Sequence, residues 1–234
     1  MKYPYEIIED PKLLAQLGEW DEDVYRSFKK CQSGEMSEEG FRKKYATKVA
    51  ILVLNMTGFT KTIMRHGSLY SFLRIFDMQQ VCTPIFLKFE AKKIRAFADD
   101  FTATFHHPES ALDAALEIQR RLRIFNQSER SGEGCFDCSI GLGYGEVFEI
   151  GPDQAMGDEM NQASKLGEDT AKGGEILLTT GFCNAVRGRT DLFFVPCTHE
   201  DLPFRFYRAE PIENMVTCKL VSRSNTHLMP RLSI

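Results

Sequence analysis

The chain has 234 residues, 43% of them hydrophobic and 26% charged, an ordinary globular composition that excludes the disordered and collagen-like classes. Its formal net charge is −4 and its Lys and Arg residues are scattered, so no basic block marks a nucleic-acid footprint and no nucleic acid is expected as a partner. Seven cysteines, no apolar stretch behind Met1-Lys2-Tyr3-Pro4-Tyr5, and no run near the roughly 20 apolar residues of a membrane span predict free thiols, a cytoplasmic location and no membrane span.

Residues 1–47 read as a highly charged helical extension, broken near Ser33-Gly34, with Trp20 and Phe28 as candidate anchors onto the main body. The core region, 48–209, opens on Val49-Ala50-Ile51-Leu52-Val53-Leu54, a continuous apolar run that suits a strand buried on both faces. Asn55-Met56-Thr57-Gly58 reads as the turn that ends it. A helix follows over about 68–89, with Leu69, Phe72, Phe76 and Met78 as expected core contacts. Lys93-Ile94-Arg95-Ala96-Phe97 and residues 101–106 read as a hairpin carrying the acidic turn Ala98-Asp99-Asp100 at its tip. Leu112, Leu116, Gln119, Leu122 and Phe125 then follow a helical period.

The next strand runs from Phe136 through Gly141, Gly143 and Gly145 to Val147. No Gly-Lys-Ser/Thr follows these glycines, so they read as close packing on the sheet rather than a phosphate loop. Cys135 and Cys138 form a CxxC without a second pair, and strand alternation puts their sulfurs on different faces, which argues against a metal or redox site. Gly157-Asp158 starts a helix that carries Met160, Ala163, Ser164 and Leu166. Residues 175–179, a short helix over 181–186, and a strand pair near 192–195 and 204–207 complete the pattern, with 210–234 as a tail lacking periodicity. The order strand–helix–strand–strand–helix–strand predicts an α/β (α+β) fold, a ferredoxin-like βαββαβ core with extra strands and helices.

Three segments, in order and with the right elements between them, resemble the catalytic domain of the class III nucleotidyl cyclases. Val49 to Thr60, ending in Asn55-Met56-Thr57-Gly58-Phe59-Thr60, is similar to that family's first strand with its Asp-x-x-Gly-Phe-Thr ending. Arg95-Ala96-Phe97-Ala98-Asp99-Asp100-Phe101 is similar to the hairpin that carries the second metal-binding Asp. Gly157-Asp158-Glu159-Met160-Asn161-Gln162-Ala163-Ser164-Lys165 is similar to the Gly-Asp-x-x-Asn-x-Ala-Ser-Arg helix. Leu166-Gly167-Glu168-Asp169 and Gly174-Glu175-Ile176-Leu177-Leu178-Thr179 fit the bacterial branches best.

The resemblance implies an enzyme that makes 3′,5′-cyclic AMP and pyrophosphate from ATP, with two divalent cations, Mg or Mn, as cofactors. It assigns Asp99, Asn55 and the Met56 carbonyl to metal binding, Asn161 to orienting the ribose, and Lys165 to the place of the transition-state Arg. Arg95 falls at a base-reading position, and Phe59 and Thr60 open the segment beside the nucleotide. It further implies a head-to-tail homodimer with composite sites.

Departures from the pattern bear on activity rather than fold. Asn55 replaces a carboxylate and Ala98 a Gly. Lys165 is a point charge where the family has a planar fork, and Arg95 matches neither common base reader. Asp100 adjoins Asp99, but successive strand residues point apart, so it is not expected in the same ligand set. Taken alone, Asp99-Asp100 also reads as a solvated turn, and Asn161 and Lys165 as exposed helix residues. The alternative function is therefore a degenerate cyclase-homology module that binds a nucleotide or a protein without turnover, or a cyclase that uses GTP or a pyrimidine nucleotide.

Overall fold

The most apolar stretch of the sequence becomes the centre of a sheet. The structure, a computed structural model, describes residues 5, 7–18, 20–127, 135–151 and 155–212. Strand β1 (Ala46–Met56) buries every residue from Val49 to Leu54 completely. Ala50, Leu52, Leu54 and Met56 point into one large core, while Val49, Ile51 and Val53 point into a smaller core on the other face. Strand alternation with helices on both faces is why this run shows no polar residue.

The other strands are β2 (Lys93–Phe97), β3 (Asp100–Phe105), β4 (Cys138–Glu149), β5 (Ala155–Met156), β6 (Ile176–Thr179), β7 (Leu192–Cys197) and β8 (Phe206–Pro211). The sheet order is β2-β3-β1-β4-β6-β8-β7, with β5 folded back on β4. Among the described residues β4 pairs with β6 in parallel, and the other pairings are antiparallel. The order β2-β3-β1-β4 is that of a ferredoxin-like core, as expected, and β6, β8 and β7 widen it.

The helices are α1 (Pro11–Leu17), α2 (Glu22–Ser33), α3 (Glu38–Tyr45), α4 (Phe59–His66), α5 (Ser68–Lys88), α6 (Pro108–Gln127), α7 (Asp158–Ser164) and α8 (Thr180–Ala185), and α7 runs directly into a π-helical turn, Lys165–Thr170. Helices α5, α6 and α8 bury Phe86, Leu112, Ile118 and Phe182 in the large core. Helix α7 covers the opposite face.

Several sequence expectations are corrected. In α5, Met78 is 1% exposed, but Leu69, Phe72 and Phe76 are 72%, 60% and 52% exposed. The first half of α5 has a polar stripe of Ser68, Ser71, Arg74 and Asp77, and it is this stripe, with Ser71 and Asp77 buried, that faces inward and leads into the core stripe Met78, Cys82, Ile85 and Phe86. Trp20 meets Phe28 edge to face, 5.3 Å between ring centres, and Phe28 stacks on Phe41. Phe41 is the anchor, 5.7 Å from Phe148 of β4, aided by an Arg42–Glu146 ion pair. Asn55 and Met56 belong to β1 rather than to a turn. A short strand that the sequence did not mark, β5, precedes α7. The expected tail beyond residue 212 lies outside the described residues.

Helix α7 can cover the sheet because backbone meets backbone there. A Cβ on Gly141 of β4 would lie 2.1 Å from the Ala163 carbonyl oxygen and 2.5 Å from the Gly167 nitrogen. A Cβ on Gly167 would lie 2.7 Å from the Val53 carbonyl oxygen. These contacts are with main-chain atoms that cannot rotate away. Gly141→Ala is expected to destabilise the fold by about 2–3 kcal/mol or more, the upper range for overpacking, measured as a shift in the urea unfolding midpoint at unchanged slope.

Candidate active site

The end of β1 gathers one group of site residues. In the β1–β3 ladder Asn55 stands opposite Asp100, and in the β1–β4 ladder it stands opposite Ser139. The Met56 N–H donates to the Asp99 carbonyl at 3.1 Å, so Asp99 lies beside the strand end although it belongs to the hairpin turn. Met56 turns its side chain into the large core, leaving its backbone to the site. Asn55 shares its sheet face with Ile51 and Val53, the face covered by α7 and the π-turn.

Beyond Met56 the chain is pinned before it becomes α4. Both the Thr57 N–H and its hydroxyl donate to the Asp137 carbonyl at 2.9 Å. Gly58, at φ 79°, makes the left-handed step into the helix. Phe59 is half-buried against the large core, while Thr60 is exposed in the first turn. Arg95 stands on β2 opposite Thr102, with its guanidinium 5.7 Å from the ring centre of the exposed Phe97.

The hairpin stores some strain. Ala98 adopts φ 51°, a left-handed conformation at which a Cβ is unfavourable. This is the position where the cyclase pattern has a glycine.

Two carboxyls in this hairpin are displaced from ordinary titration. Burial pushes Asp99 above the usual carboxylate range, against the pull of a backbone hydrogen bond. Burial, then the neighbouring charges of Asp99 and Glu168, push Asp100 up to about 6. One oxygen of Asp100, Oδ1, is buried with no hydrogen-bond partner among the described residues.

The second group sits on α7. Glu159 is its fixed point: one carboxylate oxygen accepts from the Tyr144 N–H at 2.8 Å and from the Thr179 hydroxyl. Gly143 and Gly145 leave room for that side chain. Asn161 and Lys165 project from this anchored helix and are exposed. Lys165 Nζ is 2.7 Å from Asp169, and Asn161 and Lys165 line a cleft of about 400 Å³ with Asp158, Asp201 and Phe204.

Asn55, Met56 and Asp99 are thus brought together, and Asn161 with Lys165, but the cleft at Asn161 and Lys165 is lined by none of the first three. Sequence reasoning missed the anchoring role of Glu159, for which the alternating glycines of β4 were the available signal. It also set Asp100 aside by strand alternation. Asp99 lies in the turn, so alternation does not apply, and Asp100 is the residue that pairs with Asn55.

This architecture is the fold of the class III adenylyl and guanylyl cyclase catalytic domains. The adenylyl cyclase CyaB from P. aeruginosa superposes with a TM-score of 0.61 at 16% identity, covering 70% of this chain and 94% of that one. The catalytic core of a rhodopsin-guanylyl cyclase with converted specificity, solved with ATPαS, superposes at 0.62 and 19% identity, covering 71% and 98%. The guanylate cyclase domain of RhGC from Catenaria anguillulae, solved with GTP, gives 0.60 and 18%, covering 71% and 97%. No protein-family model and no curated protein matches the sequence.

Cyclases of this fold generally use divalent metals. Among the described residues no three His, Cys, Asp or Glu side chains form a group that could hold a metal ion by themselves. The strand end instead offers hard oxygen donors: the Asp99 carboxylate, the Asn55 amide, the Met56 carbonyl and the orphaned Oδ1 of Asp100. That set fits a cation such as Mg²⁺ or Mn²⁺, which keeps several waters and completes its shell from substrate phosphates.

Two expectations follow from the hairpin. Ala98→Gly removes left-handed strain of about 1–2 kcal/mol and adds about 0.5–1 kcal/mol of backbone entropy to the unfolded chain, so a net stabilisation of about 0.5–1 kcal/mol is expected in urea unfolding. Asp100 binds its proton more tightly folded than unfolded. Its contribution to stability is present below pH 3.8 and is lost as pH rises to about 6. With chelator present, Asp100→Asn should flatten that stretch of the stability profile and raise the melting temperature at neutral pH.

Proposed function

We propose that this chain is a nucleotidyl cyclase that converts ATP to 3′,5′-cyclic AMP and pyrophosphate. The observation that carries the reading is the β1–β3 register, which sets Asn55, the Met56 backbone and Asp99 at one strand end immediately before the first turn of α4, in a fold shared with cyclases. In the reaction the ribose 3′-oxygen attacks the α-phosphorus. A new phosphorus–oxygen bond forms, the α–β bridging bond breaks, pyrophosphate leaves and the hydroxyl proton passes to solvent.

Asn55, Asp99 and the Met56 carbonyl would hold two divalent cations, Mg²⁺ or Mn²⁺, which when bound activate the 3′-oxygen and neutralise phosphate charge. The N–H groups of the first turn of α4, at Phe59 and Thr60, receive the triphosphate. Asn161 orients the ribose by hydrogen bonding. Lys165, released from Asp169, places a cation against charge developing on the phosphate. Arg95 contacts the base.

The separation of the two residue groups supports a homodimer in which each site takes Asn161 and Lys165 from the partner copy. The exposed apolar residues Leu69, Phe72, Leu73, Phe76 and Phe97 are consistent with a surface covered in an assembly. A second reading, a module that binds nucleotide without turnover, is favoured by the neutral Asn55 and by the pairing of Lys165 with Asp169.

The test is to incubate the purified protein with Mn²⁺ or Mg²⁺ and each nucleoside triphosphate in turn and identify products by mass spectrometry. Cyclic AMP is expected from ATP, faster with Mn²⁺. Asp99→Ala and Asn161→Ala should each be inactive. Mixing them should restore about a quarter of wild-type activity, one working site in the half of dimers that are mixed. No cyclic product from any nucleotide leaves the binding module as the reading. A cyclic product from another base corrects the substrate. Activity that stays absent on mixing folded, dimeric variants removes the composite site.

A further inference from the structure

The β1–β3 ladder holds a substitution and its counterpart face to face. Asn55 occupies the β1 position where the cyclase pattern has a carboxylate, and the residue directly opposite it across the ladder is Asp100. Directly opposed residues in an antiparallel pair project to the same face with Cβ atoms about 4.5–5.5 Å apart. Asn55 is on the face of Ile51 and Val53, and Phe101, the residue after Asp100, points to the opposite face, into the large core. Asp100 Oδ1 is buried and unpartnered among the described residues, in a hairpin with two adjacent acidic side chains. A buried carboxylate oxygen with no donor is costly unless something positive completes it.

We infer that the carboxylate missing from position 55 has been transferred across the ladder to Asp100, which holds a divalent cation together with Asp99 and the Asn55 amide. This inference rests on the cyclase reading of the same site and adds a ligand to it. The exchange keeps the formal charge of the strand end at two carboxylates, Asp99 and Asp100, while moving one of them from β1 to β3. Asn55 remains an oxygen donor beside it, and a cation that accepts carboxylate, amide and carbonyl oxygens with water suits the set. A cation held there would supply the partner that Asp100 Oδ1 lacks among the described residues.

The experiment is a titration of Mn²⁺ alone into the full-length protein, with free Mn²⁺ read by its electron paramagnetic resonance signal and melting temperature recorded alongside. The wild type should bind Mn²⁺. Asp99→Asn and Asp100→Asn should each weaken binding at least about tenfold, the lower limit of what even outer-shell changes produce, and each should reduce the thermal shift. Asn55→Asp with Asp100→Asn, which returns the carboxylate to β1, should bind within about threefold of wild type on the same scale. Loss of binding in Asp99→Asn with none in Asp100→Asn overturns the inference and leaves the cyclase reading intact. A double variant as weak as Asp100→Asn also overturns it, since the two positions would not be exchangeable. Absence of Mn²⁺ binding in the wild type overturns the inference and leaves the cyclase reading to the assay with nucleotide.

Discussion

The contact on which the rest of the molecule depends is the approach of α7 and its π-turn to the backbone of β1 and β4. Gly141 and Gly167 meet without side chains between them, and the main chain of one element fills the space a Cβ would take on the other. Two glycines give up packing area and add entropy to the unfolded chain. In return the helix lies against the sheet at backbone distance, and its polar residues are held relative to the strands more tightly than interdigitated side chains would allow. The change from α to π geometry begins at Lys165, next to Gly167, and π-turns inside helices are a common feature of functional sites.

Glu159 completes that arrangement. A carboxylate laid over Gly143 and Gly145, accepting from a backbone N–H of β4 and from the Thr179 hydroxyl at the end of β6, ties α7 to two strands at once. The helix that carries Asn161 and Lys165 is therefore fixed in depth by glycines and in register by Glu159. Its exposed side then faces the loop that bears Asp201 and Phe204.

The strand-end site obeys a different constraint. There two adjacent carboxyls, Asp99 and Asp100, are crowded at the tip of a hairpin beside Asn55. The hairpin tolerates a left-handed alanine and two adjacent carboxyls that titrate above their ordinary range. Unfavourable local choices gathered in a few residues, inside an otherwise consistent fold, are typical of sites shaped by binding rather than by stability. The N-terminal helices meet the body through Phe41 and Arg42 on Phe148 and the Arg42–Glu146 ion pair.

Much of this was legible in the amino-acid order. The run Val49 to Leu54 determined a strand buried on both faces, because no amphipathic element can be apolar at every position. The succession of strand and helix signals determined the ferredoxin-like core, and the alternating glycines of β4 determined that something would pack closely on that strand. The resemblance of three segments to the cyclase motifs marked Asn55, Asp99, Asn161 and Lys165 for attention. What the order of residues could not decide was which atoms meet. In the first half of α5 the inward stripe is the polar one, so the buried face was chosen by which side of α5 the sheet lies on. Phe41 packs on the sheet because α3, the last of the three N-terminal helices, lies against β1 and β4. Asp100 was set aside by strand alternation, a rule that holds within a strand. The turn ends at Asp99, so the ladder, a relation between residues 45 positions apart in the chain, decided that Asp100 faces Asn55.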